Sequence, residues 1–584
     1  MSDPLIRVVV SSTEVSAARK KTEQGILRSH NFTVCQHDYT LMHTLRLLSV
    51  TLFLLFLWLC LCPVSAQAQV HIRHVYLKKS DVFDSSHTDW FFGARLLNSL
   101  HTLTKTHVIE DELLFAEGDE FFEEDLEETA RNLRRRNVFS RVDVRWQDVA
   151  KDSVDVVVST QDKWSTLGEI LYGSGGGALN YGAALREENF LGEGINTGVS
   201  GLYRTENDLG WQGQWYMQYR RFLRSDFNLF ASLLSNKVRT VQNLVIDHPF
   251  QTLATRSAYG ISVLNSFGDD FLYTSGAAPK LLPYHLRRVT AHFARATIDR
   301  DRYFWSVLVS AEDVQRLSDT YRQAFDNSGR VLFSLGSLKQ EFVKSVRIDG
   351  YETRDVAVGA WGQAVFGYLF PMRSGGDRLT YIGARAEQSA LMLDNKLYLY
   401  GAAEASSGFS GSEGRYTYVE SSGIGHYHIS PDVLLTARFL QQTSWNWSAF
   451  RQLVLDNDMG LRGYVLNGMA GDNRFLANAE VRFFPSVDLW ILRFGAAAFY
   501  DGGMVWNQSQ NFLQQRFRNT IGLGLRIFNT KLTGSAAILR IDFAYNVDER
   551  RWAGIIITSD QLFSAFGSHN FTLPFLGGSK IDSE

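Results

Sequence analysis

A two-residue alternation of apolar and polar side chains runs through most of this chain beyond Trp164. In residues 210–220, Trp211, Trp215 and Tyr219 fall on one face of an extended strand, while glutamines and an arginine fall on the other. An apolar, aromatic outer face with a polar inner face is typical of a barrel that crosses a lipid bilayer. The pattern therefore predicts a transmembrane antiparallel β-barrel.

The number of predicted strands lies between roughly sixteen and twenty, and the count is ambiguous between Arg288 and Trp445. Only nine prolines occur in 584 residues, as long paired strands require. Aromatic residues make up 13% of the chain, which suits the aromatic girdles found at membrane interfaces. The alternative is a soluble β-sandwich, which would need many short strands with apolar inner faces.

The start of the chain is typical of an exported protein. An apolar run at residues 47–62 follows a basic residue and ends at Pro63, and a small-x-small cleavage site follows at residues 66–68. Residues 42–68 are therefore predicted to be a signal peptide, with a transmembrane anchor as the alternative. Because a signal peptide begins close to the start of a chain, residues 1–41 are predicted to be a mis-assigned start or an unstructured extension.

Cysteine usage and charge limit the compartment and the partners. The three cysteines, Cys35, Cys60 and Cys62, all precede the predicted cleavage site. The chain that remains has no thiol, which avoids mispairing in an oxidising compartment. The net charge of −3 is spread along the chain, so nothing in the sequence indicates a nucleic-acid partner.

Residues 69–163 have a mixed α/β pattern that differs from the rest of the chain. The second helix has apolar residues at Leu126, Ala130 and Leu133, the spacing of one buried helical face. In chain order, the predicted elements are a strand at 70–77, a helix at 90–100, a helix at 123–136 and strands at 138–146 and 154–158. This order resembles a POTRA domain, and the alternative is another small α/β domain.

Two charged strands follow the run Leu461-Arg462-Gly463-Tyr464. Alternation places Glu480 on the same face as Arg482, and it places Asp501 on the same face as Phe499 in the next strand. One arginine on a loop can satisfy two inward carboxylates through its planar fork of donors. The alternative is that Arg462 only anchors a surface turn. The candidate site residues are Arg462, Gly463, Tyr464, Glu480, Arg482, Phe499, Asp501 and Gly502.

This ordered set resembles the loop and strand motifs of the BamA/TamA superfamily of outer-membrane assembly and translocation proteins. In that family an R-G-F or R-G-Y loop folds back into the barrel against an E-x-R strand and an F-x-D-x-G strand. Residues 187–194 also resemble the N-x-x-G-x-G turn of the family, and five predicted strands follow the R-G-Y loop. The resemblance covers about residues 164–566 and implies about sixteen strands, whereas residues 567–584 form a tail beyond it.

Four glycines lie near the first predicted barrel strand, where the resemblance places the junction with the last strand. They are Gly173, Gly175, Gly176 and Gly177. Glycine weakens a strand because it has no side chain to pack. A weakly paired seam would expose backbone groups that could template an incoming strand. We therefore expect these residues to be seam glycines.

The resemblance implies an outer-membrane protein with its POTRA domain in the periplasm. Its expected partners are outer-membrane lipids, unfolded outer-membrane or secreted client proteins, and periplasmic accessory proteins that bind the POTRA domain. The expected activity is insertion of proteins into the outer membrane or translocation across it. The alternatives are a secretion pore for a dedicated partner and a passive outer-membrane channel.

Signals for an enzyme are weak. Residues 173–178 match G-x-G-x-x-A, but they follow a barrel strand and open no helix, so a dinucleotide cofactor is not expected. The fourteen histidines lack the spacing of metal ligands. We expect no enzymatic activity, no cofactor and no metal, with a hydrolase site on barrel strands as the alternative.

Overall fold

The computed structural model describes residues 70–82, 101–136, 138–150, 152–250, 255–274, 278–297, 301–346, 348, 353–373, 377–485, 488–489, 492–529, 538–559, 573–579 and 582. The predicted extension at 1–41, the predicted signal peptide at 42–68 and the predicted helix at 90–100 lie outside these residues. The predicted tail, 567–584, is described only in part.

The first part of the described chain is a three-stranded sheet with helices. Strand β1 (His71–Ser80) is parallel to β3 (Ser153–Asp162), which is antiparallel to β2 (Phe139–Ala150). The helices are α1 (Thr106–Glu110) and α2 (Glu123–Arg135). The apolar face of α2 packs on the sheet, and its acidic first turn and basic last turn complement the helix dipole. The core of this domain includes Ile72, Ile109, Leu126, Leu133, Val156 and Val158.

The rest of the chain forms a closed antiparallel barrel of twenty strands in the described residues. They are β4 (Thr166–Gly175), β5 (Ala178–Phe190), β6 (Ile195–Arg204), β7 (Gly210–Tyr219), β8 (Asn228–Ser235), β9 (Arg239–His248), β10 (Ser257–Leu272), β11 (Lys280–Ala296), β12 (Arg302–Arg316), β13 (Ser328–Val346), β14 (Thr353–Pro371), β15 (Leu379–Met392), β16 (Leu397–Ser410), β17 (Glu413–Ser430), β18 (Val433–Trp445), β21 (Asn473–Phe483), β23 (Leu492–Trp506), β24 (Arg518–Asn529), β25 (Ile538–Asn546) and β26 (Arg551–Ser559). Three two-residue strands, β19 (Leu453–Val454), β20 (Ala470–Gly471) and β22 (Asp488–Leu489), complete the set.

The expectation of about sixteen strands, which the resemblance implied, is wrong, whereas twenty lies within the range of roughly sixteen to twenty that the alternation gave. Between β16 and β17 only Gly411 and Ser412 separate the strands, and between β17 and β18 only Pro431 and Asp432 do. Such two-residue turns break the alternation only briefly, so the boundaries between neighbouring strands are hard to place in the sequence. The five barrel strands predicted after the R-G-Y loop are present as β21 and β23 to β26.

The two faces of the barrel differ as the alternation predicts. Outward side chains are apolar and exposed, and Ile170, Trp211 and Leu523 have 92%, 63% and 66% of their surface accessible. Inward side chains on the last strands include buried arginines and carboxylates. This is the arrangement of a barrel with an apolar lipid-facing surface and a polar lumen. None of the helices among the described residues has the length and apolar character needed to cross a membrane.

The barrel closes where its first and last strands meet. Among the described residues, β26 pairs with β4 through one register pair, Ile557 with Ser174. By contrast, the β4–β5 hairpin is paired continuously from Thr166 to its two-residue turn at Gly176 and Gly177. Both turn glycines have positive φ, 58° and 83°, as a type I′ hairpin turn requires. We call the β26–β4 junction the seam.

The turn at residues 187–194 joins the sheet domain to the barrel. Asn189 Nδ2 donates to Thr104 Oγ1 at 2.9 Å, and its Oδ1 accepts from the Gly194 backbone at 2.8 Å. The Lys105 N–H donates to the Gly192 carbonyl at 2.9 Å. Lys105 also hydrogen-bonds the Glu193 carboxylate, and this bond holds the pKa of Glu193 below its usual range. The turn that resembled a family motif is therefore a docking surface between the two parts of the chain.

Candidate functional site

The segment between β18 and β21, residues 446–472, folds back into the barrel, and we call it the lumen loop. The backbone of β19 pairs with β20 across it. Asp456 fixes the turn that leads to Arg462. Its Oδ1 accepts from the N–H groups of Asp458 and Met459 at 3.0 Å each, and its Oδ2 accepts from the Asn467 N–H at 2.8 Å. Hydrogen bonds to the Asp456 carboxylate therefore hold the loop from within, in addition to its contacts with the barrel wall.

Arg462 lies at the centre of the lumen cluster with no exposed surface. Its Nε and Nη2 donate to the two oxygens of Asp501 at 2.7 and 2.8 Å, while its Nη1 donates to Glu480 at 2.7 Å. The guanidinium also lies over the ring of Phe499, with 3.4 Å between Cζ and the ring centroid. The contacts predicted between Arg462 and both carboxylates are present, so Arg462 is not the anchor of a surface turn.

A third carboxylate, which the sequence analysis did not single out, completes the cluster. Asp542 on β25 accepts from Arg462 Nη1 at 3.1 Å and from Arg526 Nη1 at 2.6 Å. It also pairs with Arg540 on its own strand, 3.3 Å away. The sequence contains a signal for this role. Arg540 and Asp542 alternate with the apolar, outward residues Leu539 and Phe543, which is the pattern of inward side chains on a barrel strand.

The cluster is a buried network of positively and negatively charged side chains. Arg482 Nε donates to Glu480 Oε2 at 2.7 Å, and Arg526 lies 3.7 Å from the other oxygen of the same carboxylate. Buried ions require such mutual pairing, because each uncompensated charge would cost several kcal/mol. The members are Arg462, Arg482, Arg526 and Arg540 on the cationic side and Glu480, Asp501 and Asp542 on the anionic side.

Asn478 connects the cluster to the backbone of the lumen loop. Its Nδ2 donates to Asp501 Oδ1 at 2.6 Å and to the Gly460 carbonyl at 2.7 Å. Its Oδ1 accepts from Arg438 Nε at 2.8 Å, and Arg438 Nη2 donates to the Met459 carbonyl at 2.8 Å. The loop is therefore fixed to β18 and β21 through its main chain as well as through Arg462.

Gly463 and Tyr464 bring the loop against the last strands. Gly463 has φ +82°, and a Cβ there would lie 2.7 Å from the Cβ of Ala553 on β26. The Tyr464 hydroxyl donates to Asp548 at 2.7 Å, and its side chain is buried. The loop thus packs on the last barrel strand, at one side of the seam.

The loop also contacts the other side of the seam. The Leu466 N–H donates to the Gly176 carbonyl at 2.9 Å, and a Cβ at Gly175 would lie 2.6 Å from Asn457 Nδ2. Gly175 and Gly176 therefore receive the lumen loop, while Gly173 lies beside the Ile557 carbonyl of β26. Through these contacts the loop bridges β26 and β4 from inside the barrel.

Gly502 is the candidate residue that the structure leaves out of the cluster. It lies on the outer face of β23, where a Cβ would contact Phe517 and the Tyr500 hydroxyl. Its neighbour Gly503 faces inward, and a Cβ there would lie 2.9 Å from Leu455 Cδ2 of the lumen loop. Alternation explains the difference, because Asp501 points inward and the next residue must point outward.

No family model matches this chain, and no curated protein matches it. Its fold is similar to that of BamA from Haemophilus ducreyi lacking POTRA domains 1–3, with 13% identity, coverage of 84% of this chain and 83% of that chain, and a TM-score of 0.40. It is also similar to CdiB from Escherichia coli (11% identity, 84% and 76% coverage, TM-score 0.38) and to CdiB from Acinetobacter baumannii (11% identity, 84% and 73% coverage, TM-score 0.39).

Proposed function

We propose that this protein is an outer-membrane barrel of the BamA/TamA type that assists insertion of proteins into, or their translocation across, the outer membrane. The observation that supports this best is the bridge made by the lumen loop. Arg462 ties the loop to carboxylates on β21, β23 and β25, while Gly463 and Leu466 contact the two sides of the seam. A loop that contacts both strands of the seam from inside the barrel is positioned to control the opening of the seam.

The mechanism that we propose begins with separation of β26 from β4. Because the described residues of these strands share one register pair, opening between them would break few ladder hydrogen bonds. The freed edges would present unpaired N–H and C=O groups, which can pair with an extended segment of a client protein. Outward apolar side chains near the junction, such as Ile555 and Tyr172, would face lipid throughout. The client would then pass directly from the template strand into the bilayer.

We propose that residues 69–163 are a POTRA domain in the periplasm and that residues 42–68 are a signal peptide. Support for the POTRA assignment comes from the sheet order β1-β3-β2 and from α2 packed on one face of the sheet. Strand β2 pairs on one side only within the described sheet, so its free edge could receive an extended segment of a client or an accessory protein. Lipids and unfolded clients remain the proposed partners of the barrel.

A covalent lock across the seam tests this function. The chain has no cysteine after residue 62, so introduced cysteines are unique in the mature protein. Ser174→Cys with Ile557→Cys should form a disulfide at the register pair. Under oxidising conditions, cells that depend on this variant should lose newly assembled outer-membrane proteins, and reduction should restore them.

The matched control is Ala183→Cys with Gly201→Cys, a register pair inside the β5–β6 hairpin that also faces outward. This disulfide should leave assembly unchanged. Full activity of the locked seam would contradict strand templating and would favour a secretion pore or a passive channel. Conductance of the purified protein in planar bilayers then separates those two, because a passive channel gives a large steady current without a partner.

A further inference from the structure

The described end of the chain lies inside the barrel. We call residues 573–579 together with Asp582 the tail segment. Gln363 on β14 donates to the Leu573 carbonyl at 3.1 Å, and the Gly577 N–H donates to the Tyr381 hydroxyl on β15 at 2.9 Å. Arg385 on β15 lies over the ring of Phe575, with 4.2 Å from Cζ to the ring centroid. The tail segment is therefore held by inward side chains of β14 and β15.

Two glycines make this fit possible. A Cβ at Gly577 would clash with Ser406 Oγ and would lie 2.8 Å from Glu404 Oε1. Gly578 has φ +66°, and a Cβ there would lie 2.8 Å from the Trp447 ring and 2.9 Å from the Tyr418 ring. These contacts leave space for backbone alone at both positions. The wall is thus shaped around an extended segment that contains two small residues.

The far end of the tail segment contacts the lumen loop. Arg451 Nη1 donates to the Gly578 carbonyl at 2.6 Å. The Asp582 N–H donates to the Gln452 carbonyl at 2.9 Å, and Gln452 Nε2 returns a bond to the Asp582 carbonyl at 2.8 Å. The Asp582 carboxylate accepts from the Val454 N–H at 2.9 Å and from Arg474 Nη1 at 2.7 Å. The tail segment is therefore joined to the first half of the loop that carries Arg462.

We propose that the lumen contains a peptide-binding site and that the tail segment is its resident, displaceable ligand. The site binds an extended peptide that carries three features. An aromatic residue packs against Arg385, two small residues fit against the barrel wall at Ser406, and an acidic residue pairs with Arg474. Several hydrogen bonds go to the backbone of the tail segment. The site therefore recognises an extended backbone and a few side chains, and not a full sequence. Release of the tail would remove the bonds that Asp582 makes with Gln452 and Val454. This inference goes beyond the proposed function, because occupancy of the lumen is a property of the barrel itself.

Thiol labelling of a lumen position tests the proposal. Ser406→Cys places a unique thiol beneath Gly577, and Ser407→Cys places one on the opposite face of the same strand. Each is combined with Gly577→Val and Gly578→Val in the full chain, with Cys35, Cys60 and Cys62 changed to alanine so that the introduced thiol is unique. The variants are purified in detergent and treated with a water-soluble maleimide. Labelling at position 406 should be at least about tenfold faster with the two valines than without them, because the labelling rate follows the fraction of time that the site is empty, and tenfold weaker binding of the tail raises that fraction about tenfold. Labelling at position 407 should not change.

A synthetic peptide with the sequence of residues 571–584 provides the second arm. Added to the two-valine variant, it should slow labelling at position 406 again, whereas the same peptide with glycines 577 and 578 replaced by valine should not. Equal labelling rates with and without the valines, in barrels that both remain heat-modifiable, would overturn the proposal. Faster labelling that the peptide fails to slow would also overturn it, because the tail would then be a fixed part of the barrel rather than a ligand.

Discussion

The guanidinium of Arg462 and the carboxylate of Asp501 are joined by two nearly equal hydrogen bonds, 2.7 Å from Nε and 2.8 Å from Nη2. The pair is fully buried, and the remaining nitrogen, Nη1, is shared between Glu480 and Asp542. A planar fork can hold one carboxylate with one edge and still reach two others, which a compact ammonium group cannot do. The identity of the side chain at position 462 should therefore matter more than its charge.

Arg462→Ala should loosen the lumen loop and lower the proposed assembly activity, while the barrel still folds and remains heat-modifiable. Removing one member of a buried pair costs about 3–5 kcal/mol, and water in the lumen should reduce that figure. Arg462→Lys should restore little of the lost activity. Protease sensitivity of residues 446–472 reports the loop, and the quantity of newly assembled outer-membrane proteins reports the activity. Full rescue by lysine would show that the fork geometry is unimportant.

Asp542→Asn should destabilise the barrel, because Arg462, Arg526 and Arg540 each lose a contact with its charge. Asp394, exposed in the turn between β15 and β16, is the matched control. We expect Asp542→Asn to lower the temperature of heat modification clearly. We expect Asp394→Asn to change the free energy of unfolding by less than about 0.5 kcal/mol. Equal effects of the two substitutions would place Asp542 outside the network that holds the loop.

Gly463→Ala should be more harmful than Gly411→Ala. Both glycines have positive φ, +82° and +63°, so alanine costs backbone strain of about 1 kcal/mol or more at either position. At Gly463 the new methyl group would also collide with Ala553, whereas nothing lies within 4 Å at Gly411. The difference between the two variants in denaturant unfolding isolates the packing of the loop on β26. No difference would mean that the loop withdraws from the seam at little cost.

His101 should make the sheet domain sensitive to pH. Its Nε2 lies 3.0 Å from Asp162, both side chains are buried, and the hydrogen bond to Asp162 raises the pKa of His101 above its ordinary value of 6.5. The charged pair therefore contributes its full stability below about pH 6.5. That stability should be lost as the pH rises through the raised pKa. Asp162→Asn should abolish this pH dependence of proteolysis around residues 101–104, and an unchanged profile in that variant would assign the effect to another group.

The alternation along the chain was sufficient to predict the barrel and the inward direction of Glu480 and Asp501, which follow from the geometry of single strands. Their contact with Arg462 was predicted from the need to pair two inward carboxylates and from the resemblance of the loop to a family motif. The strand number was predicted only as a range, because the two-residue turns after β16 and β17 break the alternation only briefly. The tail segment was beyond reach for a different reason. Leu573 contacts Gln363 across 210 positions of sequence, and no local periodicity reports such a contact.

The turn at residues 187–194 connects the sheet domain to the barrel hairpin that borders the seam. The turn continues directly from β5, and β5 is the hydrogen-bonded partner of β4, whose other edge forms the seam. Torque applied to the sheet domain through Thr104 and Lys105 would pass along one hairpin to the junction of β4 and β26, which share one register pair in the described part of the chain. A ligand that swings the sheet domain could thus strain the seam mechanically without entering the lumen.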